Sequence, residues 1–449
     1  MRDLLDDAAR RAVRYLESLP QRGVAPTDDA VARLAELDVP LPQEPQASEE
    51  TLRQLDSIGS PATMATAGGR FFGFVIGGAL PITVASNWLA TAWDQNTGLH
   101  APTPATAELE RIALGWMLDL LGLPSTCGGA FVTGATMANF SALAAARHAV
   151  LSRAGWDVEG DGLFGAPPIT VVLGEEVHPT VLKALGMLGL GRNRVLRVPV
   201  DEQGRLRADA LPALNGPAIV CVQAGNVNTG AFDPFEPVIA AAHAQGAWVH
   251  VDGAFGLWAA ASPALAHLAA GIGGADSWAT DAHKWLNVPY DSGVALVRDA
   301  PALRAAMSVS AAYLPTEGAV RNPGDYTPEL SRRARGVDVW AALRTLGRTG
   351  LAEMLDRSCR HARRFAHELQ ASGATVHNDV VLNQVLVSFG NAQTTRRLID
   401  RLQREGTCWC GPTVWQGHTA MRISVCSWAT TDHDVERSLQ AIRRLMAQG

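Results

Sequence analysis

Short runs of continuous apolar residues alternate along the chain with longer stretches in which apolar positions recur at three- and four-residue spacing. Seven such runs fall at 130–133, 169–173, 195–200, 218–223, 247–252, 276–280 and 293–297. Most are continuous rather than alternating, as a strand buried on both faces requires, and helical patterns separate several of them. The pattern predicts an α/β fold: a three-layer large domain with a mostly parallel seven-stranded sheet, over residues 61–336. From about Val337 an Arg-rich helical stretch runs to Leu369. Apolar runs follow at 374–377, 383–389, 407–410 and 420–426, with helices at 393–405 and from Asp432. These strands alternate apolar with polar positions, so a sheet solvated on one face is expected, in a small C-terminal α+β domain over residues 337–449. Before residue 61, Leu4, Leu5, Ala8, Ala12, Tyr15, Leu16 and Leu19 have helical spacing. Thr27 can cap a second helix that Pro40 and Pro42 stop, and a third begins after Ser48. Little apolar surface is available per helix, so residues 1–60 read as a helical arm.

Composition narrows the function classes. With 449 residues and 47% hydrophobic content the chain can bury a large core. Its net charge of −6 gives no electrostatic footprint for nucleic acid. Nowhere is an apolar run long enough to span a bilayer, so no membrane partner is expected. Acids at Asp3, Asp6 and Asp7 stand where a secretion signal would carry basic and then apolar residues, which makes a cytoplasmic location the expectation. The six cysteines form no CxxC pair; Cys408 and Cys410 would share one face of a strand and read as buried thiols, with no metal site.

The basic residues are more informative. Of 38, only Lys183 and Lys284 are lysines. A guanidinium cannot lose its proton in a protein whereas a desolvated amine can, so chemistry that needs a nucleophilic amine has two candidates. Lys284 follows the strand-like run Ser277–Thr280, within Asp281-Ala282-His283-Lys284-Trp285. Upstream, Trp248-Val249-His250-Val251-Asp252-Gly253-Ala254 is an apolar strand ending in an acid and then small residues, the position at which open parallel sheets place ligands. An amine and an acid on neighbouring strand ends suit pyridoxal 5′-phosphate, the amine as imine partner and the carboxylate paired with the pyridinium nitrogen.

These two segments, in this order, resemble the group II pyridoxal phosphate-dependent amino acid decarboxylases, relatives of the aromatic amino acid and glutamate decarboxylases. The similarity extends from about residue 50 to the C-terminus. It implies fold type I with one antiparallel strand, a homodimer built partly through the N-terminal arm, and decarboxylation of an L-amino acid to an amine through a Lys284 aldimine. Thr133-Gly134-Ala135-Thr136-Met137 resembles the phosphate loop, with Gly134, Ala135 and Thr136 as contacts, although Met137 stands where the family usually has Glu. Small residues at a helix start also suit an anion on general grounds. The HxxxxKA pattern beginning at His178 implies a histidine stacked on the cofactor ring. It places Lys183 in the following helix as the rival amine, without the neighbours of the family lysine. Ala254 would support the other ring face, and His283 would contact the phosphate. Asn228, in the turn after the fourth strand, would reach the phosphate or the ring oxygen. For the substrate, the resemblance implies Arg422 near the carboxylate, in competition with a salt bridge elsewhere. Phe71, Phe72 and His100 would wall the pocket, some from the partner subunit.

The acid that returns a proton to the substrate carbon is the open question. The loop 311–331 offers Tyr313 and Tyr326, and Tyr326 is taken as the candidate. Without a tyrosine in place, oxidative deamination to an aldehyde becomes an alternative. A Cα–Cβ lyase would retain Lys284, Asp252 and His178 equally well, and a non-catalytic cofactor-binding protein is a third reading that the presence of Lys284 disfavours.

Overall fold

The computed structural model describes residues 1–309 and 320–448. By compactness the chain divides into two units: residues 79–360 with 378–384, and residues 1–78, 361–377 and 385–449.

The first unit is built on seven strands: β1 (Gly128–Val132), β2 (Thr170–Gly174), β3 (Val195–Val198), β4 (Ala218–Gln223), β5 (Trp248–Asp252), β6 (Ser277–Asp281) and β7 (Gly293–Val297). Each overlaps one of the seven apolar runs of the sequence. Their order is β1-β7-β6-β5-β4-β2-β3. The pairs β2–β3, β2–β4, β4–β5 and β5–β6 are parallel, while β7 is antiparallel to both β1 and β6. One reversed strand in a parallel sheet is the arrangement that the resemblance implied. Strands β1, β4, β5, β6 and β7 are buried along their whole length, which is why they carry no polar alternation.

Helix Ala135–Arg153 lies across this sheet, and its small side chains Ala138, Ala142, Ala144, Ala145 and Ala146 are 0–2% exposed. Small residues let a helix backbone approach closely, and Leu143 and Leu151 join Val181, Leu185, Ile219, Trp248 and Leu303 in one core cluster. The helix Pro104–Leu120 is tied in by charge. Arg332 and Glu110 are both 0% exposed and pair at 2.7 Å, and Arg332 also donates to the carbonyls of Thr97 (2.8 Å) and Phe131 (2.6 Å). A buried pair of this kind persists only when its remaining donors find acceptors. The helix Arg335–Ala371 is broken at Gly347, whose φ of 59° suits a residue without a Cβ.

The second unit holds β8 (Thr375–Val376), most of β9 (Gln384–Ser388), β10 (Gly411–Trp415) and β11 (His418–Ser424), in the order β10-β11-β9-β8. The run at 407–410 does not form the expected strand; the strand lies at 411–415, where Pro412 and Val414 are exposed. Residues 407–410 instead serve the N-terminal segment: the Phe72 N–H donates to the Trp409 carbonyl at 2.8 Å, and the Trp409 N–H donates to the Arg70 carbonyl at 3.1 Å. Cys408 and Cys410 are both buried thiols. Helix Arg2–Ser18 has no buried residue, and Thr27 caps the next helix by accepting the Ala30 N–H at 3.2 Å. No described helix is long and apolar enough to cross a membrane.

Candidate active site

The carboxyl ends of the parallel strands deliver side chains to one edge of the sheet, the place where open α/β sheets put ligands. β1 runs out at Val132 into Thr133 and Gly134, β2 leads to His178, β4 ends at Gln223, β5 at Asp252 and β6 at Asp281. Because β7 is reversed, its first residue, Gly293, lies at this same edge. A cavity of about 360 Å³ opens there. Its walls include Thr133, Gly134, Ala135, Thr136, His178, Asp252, Ala254, His283 and Lys284, eight of which were expected at a cofactor site.

Lys284 is tethered by a carboxylate that precedes it by one turn: Nζ lies 2.9 Å from Asp281 Oδ2. Asp281 is 2% exposed, and its Oδ1 accepts the Ala135 N–H at 2.6 Å. Its backbone is held by bonds to Ala254 and Trp258, each near 3 Å. His283 accepts the Ser292 N–H on Nδ1 at 3.0 Å, so its proton sits on Nε2, 3.5 Å from Asp281 Oδ1. Burial holds the His283 pKa below the ordinary imidazole value, and the Asp281 charge opposes that shift. The Tyr290 ring lies 4.3 Å from the His283 ring.

Asp252 is 5% exposed and accepts the Ala254 N–H at 3.2 Å. Burial raises its pKa, while the positive ends of His178 and Lys284 pull it back. His178 caps the helix Pro179–Met187: its Nδ1 lies 2.7 Å from Thr180 Oγ1 and accepts the Thr180 N–H at 3.4 Å, which fixes the ring. Helix Ala135–Arg153 begins at the cavity, where Ala135 and Thr136 belong to the lining. A Cβ on Gly134 would come within 3.2 Å of His283 Cε1 and 3.4 Å of Asp281 Oδ1.

This donor set fits pyridoxal phosphate: an amine, a buried acid for a ring nitrogen, a fixed imidazole, a small residue at 254 and a helix N-terminus for the phosphate. The residues carrying the site on paper do not all meet here. Lys183 is exposed and does not line the cavity, which leaves Lys284 as the amine within it. Asn228 is also outside the lining, where Val227 takes the place; the Asn228 N–H donates to Asn226 Oδ1 at 2.9 Å. Tyr326 packs against the core cluster of Ala130, Val132, Ala138, Ala279 and Ala295, under the Arg321 guanidinium at 4.5 Å, and does not line the cavity. Tyr313 lies outside the described residues. The His100 N–H donates to Asn322 Oδ1 at 3.0 Å, away from the lining. Phe71 and Arg422 belong to the other unit, where Phe71 stacks on Trp409 at 5.1 Å and burial lowers the Arg422 pKa.

Asp281, Gln223 and Tyr290 line the cavity without having been singled out. The rule that marked Asp252, an acid closing a buried strand, marks Asp281 equally.

Comparison with known proteins identifies the family and the cofactor. A family model described as "Pyridoxal-dependent decarboxylase conserved domain" matches residues 32–390. Among similar proteins, tryptophan decarboxylase 1 of Oryza sativa subsp. japonica is 27% identical over 434 residues, covering 88% of this chain and 83% of that protein. The aromatic-L-amino-acid decarboxylase of Drosophila lebanonensis is 30% identical over 369 residues, covering 76% and 89%. Among solved structures, that of Oryza sativa TDC with PLP and tryptamine superposes with a TM-score of 0.91 at 24% identity, covering 100% of this chain and 97% of that one, a likeness of fold. The chain belongs to the pyridoxal-dependent decarboxylase family, and its cofactor is pyridoxal 5′-phosphate.

Proposed function

We propose that the cavity at the carboxyl edge of the sheet decarboxylates an L-amino acid to its amine, with Lys284 as the covalent anchor of the cofactor. The observation that carries this reading is the convergence of Lys284, Asp252 and the N-terminus of helix Ala135–Arg153 on one cavity. When bound, the cofactor supplies an electron sink for the pair left behind by departing CO2. Every other task falls to the chain. Asp252, buried and negatively chargeable, would pair with the ring nitrogen and keep it protonated. His178, fixed by Thr180, would lie against one face of the ring, and Ala254 would leave room on the other. Gly134, Ala135 and Thr136 would receive the phosphate, with His283 on the same cavity wall.

Tyr290 is the better-supported group for returning a proton, because it lines the cavity beside His283 and Tyr326 does not. Nothing in the lining favours the aldehyde-forming or Cα–Cβ lyase alternatives over decarboxylation.

A homodimer is part of this reading. Helix Pro81–Trp93 exposes Ile82 at 38%, Trp88 at 46%, Leu89 at 56% and Trp93 at 43%, and three of these recur at a spacing that keeps one helix face. Large apolar side chains grouped in this way on one helix suit burial against a second copy. Buried thiols at Cys221, Cys408 and Cys410 suit a reducing compartment, the cytoplasm.

The test is to supply the purified protein with cofactor and candidate amino acids class by class while measuring CO2, amine, ammonia and peroxide. CO2 with a stoichiometric amine supports the reading. Ammonia with peroxide assigns aldehyde formation, and turnover without CO2 assigns the lyase.

A further inference from the structure

Asp281 has no task in the reading above, yet both its oxygens are engaged inside the cavity. Oδ1 accepts the N–H of Ala135 at 2.6 Å, and Oδ2 lies 2.9 Å from Lys284 Nζ. Ala135 is the first residue of a 19-residue helix, so that N–H is one of the donors a helix end leaves without an intrahelical partner. Thr133, Gly134, Ala135 and Thr136 form the wall that is to receive the cofactor phosphate. A carboxylate therefore occupies a donor of the phosphate cradle, in a position where it is 2% exposed and screened by little water.

We infer that Asp281 competes with the cofactor phosphate for the cradle and so sets the affinity of the site for phosphorylated ligands; this rests on the cofactor assignment above. The electrostatics fix the sign. A phosphate dianion entering beside the Asp281 carboxylate meets like charge at short range, while the helix N-terminus and Lys284 attract both anions. For the phosphate to take the Ala135 N–H, the carboxylate must give it up. Asp281 then retains Lys284 as its partner through Oδ2. Replacing the carboxylate by an amide of the same shape removes the repulsion and keeps an oxygen able to accept the Ala135 N–H. Asp281 thus acts as a positioning residue that tunes cofactor retention, holding the cradle donor and the amine in register.

The experiment uses pyridoxamine 5′-phosphate, which has no aldehyde and cannot bond covalently to Lys284, with phosphate-free pyridoxamine as its control. Equilibrium dialysis gives the Kd of each for the wild-type protein, Asp281→Asn and Asp281→Ser, all checked for native melting. Tenfold or tighter binding of the phosphorylated ligand in both variants, with less than twofold change for pyridoxamine, is expected. Unchanged or weaker binding of pyridoxamine 5′-phosphate in the variants overturns the inference, as does an equal gain for both ligands. If neither pyridoxamine 5′-phosphate nor pyridoxal phosphate binds any of the three proteins, the cofactor assignment itself falls and takes the inference with it.

Discussion

Gly293, the first residue of the reversed strand β7, lies so close to Gly134 that a Cβ added to it would stand 2.4 Å from the Gly134 Cα and carbonyl carbon. That contact is backbone to backbone, so no side chain can turn away to relieve it. It sets the height of the turn between β1 and helix Ala135–Arg153 above the sheet edge. Gly293→Ala should therefore lose cofactor after dialysis and melt lower, by an overpacking cost of about 1–3 kcal/mol. Retention of wild-type cofactor content in this variant would show that the turn is not held by β7.

Asp252 is kept in place by its strand and by the Ala254 N–H at 3.2 Å, so an amide of the same size should fit. Asp252→Asn is expected to bind cofactor but to turn over about a hundredfold or more slowly, the scale of losing one preorganised electrostatic contact. Steady-state CO2 release with bound cofactor measured on the same sample checks this. Near-normal turnover would remove Asp252 from the ring nitrogen.

The two described tyrosines near the chemistry make opposite predictions. Tyr290 lines the cavity 4.3 Å from the His283 ring, whereas Tyr326 packs on the core beneath Arg321. Tyr290→Phe should slow amine release and shift product toward aldehyde, with ammonia and peroxide as the readout; proton delivery by a positioned acid contributes about 10²–10⁴-fold. Tyr326→Phe should leave the product ratio unchanged. The reverse pattern would restore Tyr326 as the acid.

His250 gives a prediction for stability against pH. It is 0% exposed, its Nε2 donates to Asn139 Oδ1 at 2.8 Å, and its Nδ1 faces Ser277 Oγ at 2.9 Å, which in turn accepts the Trp248 indole N–H. This is a neutral ring, and burial pushes its pKa down to about 3. The unfolded chain takes up the proton near pH 6.5 and the folded chain does not. The stabilisation is therefore fully present above that pH and is lost as pH falls from about 6.5 toward 3, by up to roughly 1.4 kcal/mol per unit. In urea titrations at pH 7, 6, 5 and 4, His250→Gln should be less stable at pH 7 but show a shallower decline. An acid slope identical to wild type would contradict a buried neutral His250.

Most strands of the large sheet were legible because burial on both faces forbids polar alternation and leaves a largely apolar run; the edge strand β3, with Leu196 and Arg197 exposed, is the exception. The edge strand β10 was not legible: Pro412 and Val414 point outward, while the more apolar Cys408-Trp409-Cys410 is claimed by Arg70 and Phe72, more than 330 residues away. Lys284 and Asp252 were legible because an amine among arginines and an acid ending an apolar strand are both chemically conspicuous. The direction of a loop side chain is not written in its spacing, so Tyr326 and Asn228 could be nominated but not oriented. Asp281 lies three residues before Lys284 in a segment whose histidine and lysine are the chemically conspicuous residues, so its own role is not marked in the sequence.

The most direct measurement is borohydride reduction of the cofactor-loaded protein followed by peptide mapping, which fixes the cofactor covalently to whichever amine holds it. The added mass is expected on the peptide containing Lys284, with none on that containing Lys183 and no label in Lys284→Ala. Label on Lys183, or no label on any lysine of a protein that binds the cofactor, would contradict Lys284 as the anchor.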